Sequence, residues 1–165
     1  MDLNFSADKL VELMGRIEAC VQKLTPEQVW ARGSENQNAV GNLLLHLNGN
    51  VRQWILHGVG GALDARDRDS EFAARGGGNA QELFAALRGT VEEAVALIRT
   101  LPPARLPERI TPQEYDVTVL GAVYHVVEHF AGHTFQIIFM SKLFTGEDLG
   151  FYAHLNAPKP PRVLQ

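Results

Sequence analysis

Tyr124-His-Val-Val-Glu-His-Phe-Ala-Gly-His-Thr-Phe-Gln136 carries three of the chain's six histidines, at His125, His129 and His133. A spacing of four places them on one side of a helix, one turn apart. Thr118, Ala122, Gly132, Gln136 and Met140 fall in the same narrow sector of the wheel. Val119, Val123, Val126, Val127, Phe130, Ile137 and Ile138 fill the sector beside it. This period is helical and not strand-like, and the histidines border a core. A purely solvated face would more often carry Lys and Glu.

Three further segments read the same way. Residues 7–24 place Leu10, Leu13, Met14, Ile17, Val21 and Leu24 on one side, with Ser6 as the expected N-cap. Thr25-Pro26-Glu27 predicts a capped short turn through Trp30. Residues 39–58 form the second long helix, stopped by Gly58-Val-Gly-Gly61. The third opens at Asn79-Ala-Gln-Glu82, a capping-box analogue, and is stopped by Pro102-Pro103. The helix that carries the opening stretch starts within 116–118 and ends near Phe144, before Gly146. The expected fold is an all-α four-helix bundle. The Gly58–Gly78 segment is too long for a tight turn, so it is read as a long crossover connection between helices 2 and 3. A loose excursion between antiparallel neighbours is the alternative. The domain is expected over 1–156, with an extended Pro-rich tail over 157–165.

Composition narrows the function. The chain has 165 residues, 45% hydrophobic and 21% charged, with a net charge of −4. It suits a single core. It offers no basic run for nucleic acid, so none is expected as a partner. No apolar stretch approaches the roughly 18 residues of a membrane span. The first residues lack the basic and apolar regions of a signal peptide. With Cys20 alone, no intramolecular disulfide can form. A cytoplasmic protein is expected, with Cys20 an inert buried thiol. No phosphate loop, Rossmann fingerprint or Ser/Cys nucleophile with a dedicated base is visible, so no catalytic residue is assigned.

The second helix carries its own uncharged polar stripe: Asn42, His46, Gly49, Asn50, Gln53 and His57. Val40, Leu43, Leu44, Leu47, Val51, Trp54 and Ile55 make the apolar face beside it. Facing stripes of His, Asn and Gln would satisfy one another or a ligand. Two histidines at i and i+4 can reach one metal ion. His125 and His133 are separated by about 12 Å of helix rise, so all three cannot share one ion. The pair is 125/129 or 129/133. An open site needs a third ligand from another element, and His46 in Leu43-Leu-Leu-His-Leu47 is the first choice. His57, at the helix end, and His154 are weaker choices, and Glu128 points about 100° away from His129. Trp30 and Trp54 are read as packing, and Arg66-Asp-Arg-Asp69 as a solvated charged loop able to cap the pocket.

Val40-Gly-Asn-Leu-Leu-Leu-His-Leu-Asn-Gly-Asn-Val-Arg-Gln-Trp54 and Val123–Ile137 together resemble the second-helix and last-helix motifs of the DinB-like superfamily. The similarity covers about residues 1–150. The resemblance implies a bundle with a long crossover, a homodimer, and a divalent metal, zinc or nickel, held by His46, His129 and His133. His125 then becomes a neighbour, lining a small-molecule pocket or supporting the ligands together with Asn42, Asn50, Gln53 and Gln136. Related branches include enzymes using a low-molecular-weight thiol, among them S-transferases and a maleylpyruvate isomerase. The implied function is a metal-dependent, thiol-using S-transferase. The alternative is a non-catalytic dimeric module that binds metal or a small molecule in sensing or stress. One position departs from the pattern: Phe135 stands where the superfamily commonly has Gly before Gln.

Overall fold

The computed structural model describes residues 3–156; the tail expected over 157–165 lies outside them. Four long helices form the bundle: α1 (Asn4–Val21), α3 (Val40–Val51), α5 (Ala80–Thr100) and α6 (Val119–Thr145). Two short ones, α2 (Pro26–Trp30) and α4 (Arg68–Ala73), sit in the connections. A two-residue hairpin, β1 (Arg109–Ile110) with β2 (Val117–Thr118), joins α5 to α6 in antiparallel register, Arg109 opposite Thr118. No helix among the described residues is long and apolar enough to cross a membrane.

Local chemistry sets most helix ends. Asn79 accepts from the Glu82 amide while the Glu82 carboxylate accepts from the Asn79 amide. Thr25 and Gln28 make the same reciprocal cap for α2. Thr118 caps α6, and Gly146 ends it with φ +69°, a conformation that favours glycine. The expected cap at Ser6 does not form. α1 starts at Asn4 and Ser6 lies inside it, buried, because Leu3 and Ala7 are drawn into the core.

α1 packs against α5 and α6, and α3 packs against the same two. Asp8 pairs with Arg99 and Glu18 with Arg88, so α1 and α5 are antiparallel. Lys23 pairs with Glu147 where α1 and α6 both end, so these two are parallel. α3 and α5 are also parallel. Trp30 lies over Gly41 at the start of α3 and donates to the Gly78 carbonyl before α5. At the other end Gly60 meets Leu97. The chain leaving α3 must therefore return along its whole length before α5 begins. The long crossover is the physical consequence of joining two parallel neighbours. Leu10, Ile17, Leu44, Leu47, Leu87, Phe130 and Ile137 fill the interior, all essentially inaccessible.

The second long helix is not regular to its end. Beyond Val51 it widens into a π-helix over Arg52–Val59. A π turn takes more residues than an α turn, and such turns are frequent at functional sites. Trp54 and Ile55 stay buried within it, on the apolar side where the sequence places them.

Candidate metal centre

His46 on α3 and His129 and His133 on α6 face each other across the antiparallel α3–α6 contact. One ring nitrogen from each lies within 4.8 Å of the others. His46 Nε2 is 3.1 Å from His129 Nε2, which is 3.2 Å from His133 Nε2. His46 is buried and the other two are half-buried. Of the two pairs left open by helix spacing, the fold selects 129/133.

The outer nitrogens decide what the inner ones offer. His46 Nδ1–H donates to Glu71 Oε2 at 2.9 Å, and His133 Nδ1–H donates to Gln136 Oε1 at 2.7 Å. A carboxylate and an amide oxygen only accept, so each Nδ1 carries a proton and each ring's Nε2 is the nitrogen turned inward. Burial, reinforced by His133 and His46, lowers the pKa of His129 to about 3, so its ring is neutral. Burial also lowers His133, with the Gln136 hydrogen bond opposing. Lone pairs facing at this spacing repel unless a cation stands among them. A tetrahedral zinc with bonds of 2.0–2.1 Å would hold its nitrogens about 3.3 Å apart. The donor set therefore fits a divalent ion.

Glu71 is the member that inspection of the chain missed. It sits on α4, and its side chain is 8% exposed. Arg66 forks onto it, Nε to Oε1 at 2.7 Å and Nη2 to Oε2 at 2.9 Å, and donates to Gln53 Oε1 at 2.9 Å. Arg66 Nη2 is also 3.2 Å from His46 Nδ1. As both carry protons, the shared carboxylate serves both. Burial alone would raise the Glu71 carboxyl, but hydrogen bonds from Arg66 and His46 outweigh it and hold the group below its ordinary value. Gly49, one turn after His46, leaves room for this pair. A Cβ there would stand 1.9 Å from Glu71 Oε1 and 2.9 Å from Arg66 Nε. Part of the segment read as a solvated loop is thus a buried ion pair supporting the histidines. The available signal was the stripe His46, Gly49, Gln53.

The other expected residues separate into two groups. Asn42 is fully engaged as scaffolding. Its Oδ1 accepts from the Ala39 amide and from Arg32, and its Nδ2 donates to the carbonyls of Glu71 (2.8 Å) and Ala74 (3.0 Å). It anchors α4 and so places Glu71. Gln53 orients Arg66 and donates to Asp64 at 2.8 Å. Asn50 and His125 instead line a cleft of about 380 Å³ beside His46 and His129. Trp54, read as packing, is a wall of that cleft and stacks on His125 at 3.8 Å. Gln113 and Tyr115, between the hairpin strands, complete the wall. His57 caps the helix end by bonding the Ala62 carbonyl, and His154 is exposed on the last short turn. Cys20 is buried on α1, and burial pushes its thiol up.

Fold and site define a helical bundle with a three-histidine cluster able to hold a metal ion. The chain belongs to the family described as "Protein of unknown function (DUF1572)", whose model matches residues 3–159. No curated protein matches it. The structure is similar to the crystal structure of a conserved protein from Enterococcus faecalis. That likeness has a TM-score of 0.76 at 15% identity and covers 89% of this chain and 99% of that one. At that identity it speaks for the fold alone.

Proposed function

We propose that His46, His129 and His133 hold zinc or nickel, and that the protein is a DinB-like metal-dependent enzyme, an S-transferase using a low-molecular-weight thiol. One observation carries this reading. Three imidazole nitrogens converge within 4.8 Å, and two of the rings are oriented through Nδ1 by Glu71 and Gln136. Hydrogen-bonded partners of this kind orient metal-binding histidines and raise their basicity. Imidazole donors suit zinc, nickel, copper and iron.

A bound divalent ion would supply Lewis acidity that deprotonates a thiol or water at neutral pH. The chain's own residues do the rest. Glu71 and Gln136 hold the ring orientations. Trp54 and Tyr115 shield one wall of the cleft. His125, which burial keeps neutral, faces that cleft and can accept a released proton. Metal-loaded protein, assayed with glutathione and other small thiols against model electrophiles, should turn over only with the ion present. His125→Ala should keep the ion and lose most of the rate. Stoichiometric metal without turnover on any pair overturns the catalytic reading and leaves a binding or sensor module.

We also propose a homodimer formed through α6. Phe135, Phe139 and Leu143 recur one turn apart and are 53%, 68% and 68% exposed. A continuous apolar stripe of this kind suits a two-fold, self-complementary contact. Phe135, where the superfamily commonly has Gly, enlarges it. Phe139→Glu should halve the mass measured by light scattering after size exclusion. A wild-type monomer, or an unchanged dimer in the variant, removes this interface.

A further inference from the structure

The cleft beside the histidines has polar features that the metal reading does not use. Asn50 is only 3% exposed, yet its Oδ1 has no hydrogen-bond partner among the described residues. A buried oxygen left without a donor is costly, and ligand sites are a common reason for one. Arg68 is the one formally charged side chain on the cleft walls among the described residues. Its guanidinium lies over the Phe72 ring at 4.8 Å, and Phe72 packs on His46 at 4.6 Å. The cation is thereby held next to the metal ligands while staying exposed.

The opposite wall is built at a conformational cost. Gln113 and Glu114 both adopt positive φ, +50° and +64°, although neither is glycine. Residues held this way are strained, and such residues cluster at ligand clamps. Here the strained turn brings Gln113 Oε1 to the Trp54 indole N–H at 3.2 Å and sets Tyr115 beside Trp54, ring centroids 5.8 Å apart. Trp54, Tyr115 and His125 give the cleft flat, apolar walls.

We propose that this cleft binds a small carboxylate that carries an N–H or O–H donor and a flat or apolar body. Arg68 takes the carboxylate and Asn50 Oδ1 takes the donor. The aromatic walls hold the body, and the end of the ligand near His129 meets the metal. The inference rests on the metal reading above for the reacting end, but the recognition it assigns belongs to the chain's own residues. Arg68 and Asn50 are specificity residues and not metal ligands.

The test is calorimetric binding of hippurate, which has a ring, an amide N–H and a carboxylate, compared with its uncharged amide. Both probes are titrated into zinc-loaded and chelator-treated protein, with zinc content measured on each sample. Hippurate should bind at least about tenfold tighter than the amide, as expected for a charge-assisted Arg–carboxylate contact. Arg68→Gln, at an exposed position, should erase that difference. Asn50→Leu should weaken both probes about fivefold or more, the loss of one buried hydrogen bond. Equal affinity for the two probes, or a difference that survives Arg68→Gln, overturns the proposal. An Arg68-dependent difference in zinc-free protein supports it independently of the metal reading. Stoichiometric zinc with no such difference overturns this proposal alone.

Discussion

His129→Ala is expected to leave the purified protein without bound metal, while the wild type carries about one ion per chain. His129 stands between the other two proposed ligands, with its Nε2 3.1 Å from His46 and 3.2 Å from His133. Without it the two remaining nitrogens have no bridging partner, and an open site needs three protein ligands. His46→Ala and His133→Ala should weaken binding severely, whereas His125→Ala should retain the ion. Elemental analysis of the five proteins decides this, with circular dichroism to show that each is folded. Equal metal in wild type and His129→Ala would sink the site.

Glu71→Ala should be the most damaging single change outside the ligands. The Arg66 side chain is 3% exposed and forked onto this carboxylate. Removing one partner of a buried ion pair strands the other, at about 3–5 kcal/mol. The same change frees His46 Nδ1, and loss of such a supporting partner lowers metal affinity about 10–100-fold. Denaturant unfolding of chelator-treated protein measures the first effect, and competition with a metal indicator measures the second. Glu71→Gln separates the two. It keeps an acceptor for His46 but loses the charge opposite Arg66, so affinity should recover further than stability. Wild-type stability and affinity in Glu71→Ala would show that neither role is real.

These two experiments probe residues of different legibility. His129 was visible as the residue common to both possible pairs, because a helix fixes which side chains stand one turn apart. His46 was visible as an isolated polar residue in an apolar run. Glu71 was not, because nothing near it marks a carboxylate as buried. It lies 25 residues from His46 along the chain, and only the return of the crossover along α3 brings them together. Trp54 was legible as packing, and it is buried in the core at 3% exposed. Its second role as a cleft wall was not, because that depends on where Gln113 and Tyr115 lie down against it.

The sequence by itself determined the four long helices, most of their caps, the crossover and the histidines able to ligate. Each depends on periodicity, capping or chain reach, which act within a few turns or within one connecting segment. Only the tertiary structure decided that His129 and His133 converge with His46, that Arg66 and Glu71 form a buried support, and that the turn at 112–115 walls a cleft. Those outcomes depend on which helix faces meet and on where a long connection lies down, and no local rule of spacing contains that information.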